Sequence, residues 1–218
     1  GPNAQMCSAL GLADVRINGE MLDNARNITK FNPYPQPTGG NMGTETLDVQ
    51  VTIPDPAIAG ALGFPISMPE AGWPVVILAH GITSKKEDML AITGTLSLAG
   101  VASIAIDQPL HGSRGFDLNG DGTDEINATT VSATHYMNLA SLPTARDNLR
   151  QSVSDLLGLR LGLNAVIDNT TTQNVKFDMG RVSIMGVSLG AITGGNFASV
   201  ANTSMGGDLA ALDGMFAV

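Results

Sequence analysis

The segment Gly186-Val187-Ser188-Leu189-Gly190 has the spacing that places a serine nucleophile on a sharp turn. In a G-x-S-x-G segment the serine takes a strained backbone conformation, and the two glycines leave room for it. The apolar run over Arg181 to Gly186 predicts a buried strand before the turn, and the small residues after it predict a helix. Ser188 would then lie at a helix N-terminus, where the backbone N–H of Leu189 faces a developing oxyanion. A glycine-rich turn with an incidental serine is the alternative interpretation.

The segment His80-Gly81-Ile82 is the candidate for a second oxyanion donor. It follows the apolar run Val75 to Ala79, a predicted buried strand, and it precedes a helix for which Ser84 and Glu87 form a capping box. We expect the backbone N–H of Ile82 to be the donor, with Gly81 allowing the loop to turn inward. His80 is interpreted as a residue that orders the loop and lines the site. It precedes the serine, whereas the general base follows the serine in sheets with this type of turn.

Asp107 and His111 follow the next predicted strand, Val101 to Ile106. Open α/β sheets place their sites at the carboxyl ends of the strands, so both side chains are expected to line the site. The simpler interpretation is a turn in which Asp107 accepts local N–H groups and takes no part in the chemistry, and we favour it.

An acidic loop follows, with oxygen-bearing side chains at the spacing of a calcium loop. Positions 1, 3, 5, 7 and 9 would be Asp117, Asn119, Asp121, the Thr123 carbonyl and Glu125. Position 12 is Ala128, so the usual bidentate glutamate is missing and only a shorter calcium loop would fit. A solvated acidic turn is the equal alternative. A bound Ca²⁺ would brace the loop and take no part in catalysis.

The predicted elements alternate between strand and helix from Thr46 onward. A half-buried strand over Thr46 to Ile53 leads and is expected to be antiparallel to the others. Three buried strands follow with helices between them, and Leu212 to Val218 is expected to begin another strand. This order predicts an α/β fold with a mainly parallel sheet flanked by helices. Residues 1–45 form a turn-rich N-terminal segment, and residues 46–218 form the α/β domain, which includes a long excursion over 108–141.

Composition excludes several classes of function. The chain has 218 residues with a formal net charge of −9, so nucleic-acid binding through a basic face is excluded. No apolar run reaches the about 18 residues of a transmembrane helix. One cysteine excludes an internal disulfide framework. The low charged fraction of 14% favours a secreted or cell-surface bacterial protein.

Together, His80-Gly81, Asp107 with His111-Gly112, and the Ser188 turn resemble the α/β-hydrolase superfamily. More narrowly, residues 74–115 with the serine turn are similar to the bacterial virulence-factor lipases, some of which act as phospholipases or lysophospholipases. The resemblance covers residues 46–218. It implies hydrolysis of lipid-type esters through a Ser-Asp-His triad and no organic cofactor. Ser188 would be the nucleophile, with Leu189 and Ile82 as oxyanion donors.

The sequence departs from this family in one respect. All three histidines, His80, His111 and His135, precede Ser188, whereas the triad acid and histidine follow the serine in this fold. We therefore expect an N-terminal portion of a larger enzyme, truncated near the sixth strand and inactive alone. The exposed edge at Leu212 to Val218 would be covered by the missing C-terminal part or by self-association. The alternatives are a peptidase or thioesterase of the same fold, and a non-catalytic calcium-dependent binding module.

Overall fold

The computed structural model describes residues 16–17, 20–21, 46–170, 175–204, 206–207, 210 and 213–218, with the main chain alone for residues 16–17, 20–21 and 166–170. Most of the predicted turn-rich segment 1–45 lies outside these residues. Its described part is an antiparallel pair of two-residue strands, β1 (Arg16–Ile17) and β2 (Glu20–Met21).

In the part of the chain that the structure describes, the main sheet has four strands, β3 (Val49–Thr52), β4 (Trp73–Ala79), β5 (Ala102–Ile106) and β6 (Phe177–Gly186). Their order in the sheet is β3-β5-β4-β6. β3 runs antiparallel to β5, while β5, β4 and β6 are parallel to one another. The predicted α/β class, with a mainly parallel sheet and a leading antiparallel strand, is confirmed.

Within the described residues, four α-helices accompany the sheet. They are α1 (Pro56–Ala61), α2 (Leu90–Leu98), α3 (Leu142–Thr170) and α4 (Leu189–Ala201). Short 3₁₀ helices cover Lys86–Met89, Gly112–Arg114 and Ala133–His135. Among the described helices, none combines the length and the apolar character that crossing a bilayer requires.

The core lies on both faces of β4, which explains why its sequence is continuously apolar. Val75 and Ile77 belong to the larger cluster, which includes Leu163 of α3 and Phe197 of α4. Val76 and Leu78 point to the other face and pack with Met89 and residues of α2. Since successive side chains of a strand point to opposite faces, the helices on the two sides both need apolar partners from β4.

The expected strand over Leu212 to Val218 is wrong. Its described residues, 213–218, form turns, with Gly214 at φ 82°. Phe216 and Val218 pack against the main core, and the Asn202 side chain binds both the N–H and the carbonyl of Val218. Within the described part of the chain, the sheet therefore ends at β6, which pairs with β4 on one side.

The capping box predicted from Ser84 and Glu87 is also wrong in its acidic partner. The carboxylate of Asp88 accepts the Ser84 hydroxyl and the Lys85 N–H, at 2.7 and 3.2 Å. Glu87 instead lies 3.1 Å from the ammonium of Lys86. The 3₁₀ helix that precedes α2 begins at Lys86, one residue later than a Ser84 cap predicts, and the Lys86 side chain turns inward to buried Asp107.

Candidate active site

Ser188 lies on the turn between β6 and α4 with φ 53° and ψ −115°. A non-glycine residue at positive φ costs free energy and persists only where the surrounding structure enforces it. Among the described residues, the other two such cases are Thr83 and Leu110. Thr83 follows β4, Leu110 follows β5 and Ser188 follows β6. The strained residues therefore lie at the carboxyl ends of the parallel strands, where open α/β sheets place their sites.

Two glycines make this turn sterically feasible. A Cβ atom on Gly186 would overlap with the carbonyl group of Gly190, and a Cβ atom on Gly190 would overlap with the carbonyl oxygen of Ala79. The N–H of Val187 donates to that same oxygen at 3.1 Å. The G-x-S-x-G spacing is therefore a packing requirement: helix α4 begins against the end of β4, where no side chain fits.

The loop after β4 lies directly against Ser188. A Cβ atom on Gly81 would be 3.3 Å from the Ser188 Cβ and 3.9 Å from its Oγ. Ile82 packs against the small cluster that contains buried Leu189. The backbone N–H groups of Ile82 and Leu189 donate to no other group of the described residues. The structure thus brings Ile82 and Leu189, the two residues predicted as oxyanion donors, close to Ser188.

His80 is completely buried, and both of its ring nitrogens are engaged. Nδ1 lies 2.8 Å from the carbonyl oxygen of Gly81, and Nε2 accepts the backbone N–H of Gln108 at 2.9 Å. Burial lowers the pKa of His80. A ring nitrogen that accepts a backbone N–H carries no proton, so the ring is neutral and its Nε2 contact of 3.9 Å with Asp107 is no ion pair. This arrangement suits a residue that orders the loop.

Asp107 joins two loops through a buried carboxylate. It accepts hydrogen bonds from the backbone N–H and the ammonium of Lys86, at 2.7 and 2.8 Å, and from the N–H and hydroxyl of Ser113. Burial alone would raise the pKa of Asp107, but the hydrogen bonds from Lys86 and Ser113 hold it below its usual value. Only 1% of Asp107 is exposed, so its role is to connect the loops at the site.

His111 lies in the interior beside His80. Its ring packs edge-on to the rings of His80 and Tyr136, with centroid distances of 5.1 Å in both cases. Nδ1 lies 2.9 Å from the carbonyl oxygen of Pro109, and Nε2 has no hydrogen-bond partner among the described residues. Burial lowers the pKa of His111 to about 4, so it is a poor proton acceptor near neutral pH.

Sequence reasoning missed three polar residues that build this region. Gln108 bonds to His80, Lys86 neutralises Asp107, and the buried hydroxyl of Tyr136 lies 2.8 Å from that of Ser152. Gln108 had one local signal, its place directly after a buried strand. Lys86 and Tyr136 had none: a lysine at a helix start usually faces solvent, and no local pattern marks Tyr136 as buried.

The acidic loop is separate in character from this polar interior. Three carboxylates, those of Asp117, Asp121 and Glu125, place oxygen atoms within 4.8 Å of one another and could hold a cation. The Asn119 amide donates to Glu125, and the Thr123 N–H donates to Asp121. The N–H groups of Gly122 and Gly120 hold the pKa of Asp117 below its usual value. An antiparallel bridge between Phe116 and Ile126 closes the loop.

Comparison with known proteins adds no assignment: the chain matches no protein-family model, and no curated protein is significantly similar to it in sequence.

Proposed function

We propose that the protein is a serine hydrolase of the α/β-hydrolase type that acts on carboxylic esters through an acyl-enzyme at Ser188. The observation that carries this proposal is the backbone of Ser188, held at φ 53° on a strand-to-helix turn whose glycines cannot be replaced without steric overlap. Strain of this kind is characteristic of a nucleophile turn, because it lifts the hydroxyl clear of the sheet.

The described strands support this fold type. Three parallel strands carry the three loops of the site, the serine turn follows the third of them, and an antiparallel strand precedes them in the chain. Helices pack on both faces of the sheet. A sheet of this type presents its catalytic groups on loops at the carboxyl ends of the strands.

The chemistry would proceed by attack of the Ser188 oxygen on the ester carbonyl carbon. The carbonyl oxygen becomes an oxyanion, which the N–H groups of Leu189 and Ile82 would bind. Collapse of the tetrahedral intermediate expels the alcohol, and water then attacks the acyl-enzyme to release the acid. A general base must take the serine proton, and neither His80 nor His111 suits this role, since both are buried and their pKa values are lowered.

Within the described residues the Ser188 hydroxyl makes no hydrogen bond to a base, and a serine hydroxyl without a base is a weak nucleophile near neutral pH. Losing the triad partners of a serine hydrolase costs on the order of 10⁴ to 10⁶ in rate. We therefore propose that the 218-residue chain alone reacts at Ser188 far more slowly than a complete triad enzyme, yet faster than an ordinary serine.

The surface next to Ser188 favours an apolar substrate. The side chains of Val187 and Ile192 are both 56% exposed beside the serine. No charged residue occurs between Arg181 and Asp208 in the sequence. Exposed apolar side chains on the segment that carries the serine suit a lipid-type ester better than a peptide, whose polar backbone needs hydrogen-bonding partners.

A fluorophosphonate probe tests the proposal, with the labelled residue identified by peptide mass spectrometry. We expect the folded protein to be labelled at Ser188 faster than the same protein in urea. Ser188→Ala should abolish the adduct, whereas Ser183→Ala, which removes an exposed serine of β6, should leave it unchanged. Equal labelling in the folded and the unfolded state would refute the proposal, because the turn would then contribute nothing.

A second assay separates the ester hydrolase from its alternatives. p-Nitrophenyl esters of increasing chain length should be cleaved in preference to matched peptide anilides and thioesters. Preference for the anilides would indicate a peptidase, and preference for the thioesters a thioesterase. An unreactive Ser188 combined with tight Ca²⁺ binding would favour the binding module.

A further inference from the structure

His80 and Gln108 tie the loop that carries Ile82 to the end of β5. The backbone N–H of Gln108 donates to Nε2 of His80 at 2.9 Å, and the side-chain amide of Gln108 donates to the carbonyl oxygen of His80 at 2.6 Å. His80 is fully buried, and only 6% of Gln108 is exposed. Each residue thus holds the other through one backbone group and one side-chain group.

These bonds determine which nitrogen of His80 carries the proton. A backbone N–H can only donate, so Nε2 must be the acceptor, and the proton of the neutral ring is on Nδ1. The Nδ1–H group then donates to the carbonyl oxygen of Gly81 at 2.8 Å. The same oxygen also accepts the N–H of Ser84 at a longer distance, 3.3 Å.

Fixing the Gly81 carbonyl also fixes the direction of the Ile82 N–H. The two groups belong to one planar peptide unit, and in a trans peptide they point in opposite directions. The described residues contain no cis peptide bond. The N–H of Ile82 therefore points away from the His80 ring. Gly81 lies against Ser188, so this peptide unit borders the serine.

We infer that His80, held by Gln108, is a positioning residue that aims the Ile82 N–H at the oxyanion formed on Ser188, and that it does so through the neutral ring with its proton on Nδ1. The inference rests on the proposed function of Ser188. It adds a requirement that the nucleophile turn alone does not impose: the ring must donate from the Nδ1 position.

Two variants of His80 separate the two ring nitrogens. The amide nitrogen of asparagine occupies the place of Nδ1, so His80→Asn can still donate to Gly81. The terminal group of glutamine reaches the place of Nε2, so His80→Gln can still accept the Gln108 N–H but loses the bond to Gly81. We expect His80→Gln to lower the second-order rate constant of fluorophosphonate labelling about tenfold. Removing a whole oxyanion donor costs about 10² to 10³, and the Ser84 bond remains.

His80→Asn should label within about threefold of the wild type on the same reasoning, because the donor to Gly81 is restored. His135→Gln, a change in the excursion, is the matched control and should leave the rate constant unchanged. Equal losses in His80→Asn and His80→Gln would overturn the inference, since the effect would then follow burial and not the Nδ1 donor. The thermal unfolding temperature of each variant is measured alongside these rate constants, to show that the variant is folded.

A measurement on the protein without any reagent keeps the inference testable if Ser188 proves unreactive. Residual dipolar couplings and the ¹⁵N order parameter of the Ile82 amide report the direction and the rigidity of its N–H. We expect a rigid N–H in the wild type and in His80→Asn, and a mobile or redirected one in His80→Gln. An unreactive wild-type serine would refute the proposed function alone, whereas an unchanged Ile82 amide in His80→Gln would refute the positioning role.

Discussion

Gly190 lies directly against the main-chain carbonyl oxygen of Ala79, so closely that a Cβ atom would overlap with it. The contact joins the first turn of α4 to the last residue of β4. We expect Gly190→Ala to lower the free energy of unfolding by more than about 4 kcal/mol, or to prevent folding, because backbone atoms on both sides would have to move.

Gly195 in the same helix is the matched control, since a Cβ atom there meets nothing within 4 Å. Gly195→Ala should be neutral or should stabilise the protein by up to about 1 kcal/mol through helix propensity. Urea unfolding followed by circular dichroism measures both variants. Similar stabilities for the two would show that the turn at Ser188 is looser than the structure indicates.

The strain at Ser188 predicts that its removal stabilises the fold. Glycine tolerates positive φ, so Ser188→Gly should be more stable than Ser188→Ala by about 1 kcal/mol, after the entropic cost of glycine is subtracted. Ser154→Gly, within α3, should instead lose about 1 kcal/mol against Ser154→Ala. If Ser188→Gly is less stable than Ser188→Ala, the backbone at residue 188 is not strained.

The ion pair of Lys86 with Asp107 predicts a large loss on removal of one partner. Lys86→Met should lower the free energy of unfolding by about 3 kcal/mol, because the Asp107 carboxylate would remain buried without its cation. Lys85→Met, the exposed neighbour, should stay within about 0.5 kcal/mol of the wild type. Adding Asp107→Asn to Lys86→Met should recover part of the loss, and a further loss would contradict this account.

Because neutral histidines are buried in the folded protein, we expect the free energy of unfolding to fall in mild acid. His111 has a pKa of about 4 in the folded protein, against 6.5 for an ordinary histidine. The unfolded chain therefore binds a proton that the folded protein does not. The contribution of neutral His111 to the free energy of unfolding is fully present above pH 6.5. It is lost as the pH falls toward 4, and the loss from His111 alone is about 3 kcal/mol. His80 acts in the same direction.

Urea unfolding at several pH values between 7.5 and 4.5 measures this effect. His111→Phe removes the titrating group, so its free energy of unfolding should depend less steeply on pH than that of the wild type. Identical pH profiles for the two proteins would show that His111 is accessible to protons in the folded state.

The acidic loop predicts a response to calcium. If Asp117, Asp121 and Glu125 hold a cation, millimolar Ca²⁺ should raise the thermal unfolding temperature, and Asp121→Asn should abolish the rise. Asp48→Asn, which lies outside the loop, should leave it intact. An unfolding temperature that Ca²⁺ does not change would favour the solvated turn, whose carboxylates already accept N–H groups of the loop itself.

Local patterns in the sequence were sufficient to place the four strands of the main sheet and the serine turn, but the prediction of a buried strand over Arg181 to Gly186 was wrong, since alternate residues of β6 are exposed. The apolar run of β4 and the glycines at 186 and 190 act over a few residues, so their consequences can be read without knowing the fold. The same patterns predicted the leading antiparallel strand and the helices on both faces. They failed over residues 213–218, where packing of Phe216 and Val218 on the core decided the backbone.

The sequence by itself determined that Ser188 would stand on a strained turn between strand and helix, because close packing at two glycines leaves that segment one conformation. Tertiary structure alone decided what surrounds the turn. The bonds of Lys86 to Asp107 and of Gln108 to His80 join residues 21 and 28 positions apart, and no local pattern encodes them. Buried polar groups must find partners wherever the folded chain brings them together, so their pairing is a property of the whole fold.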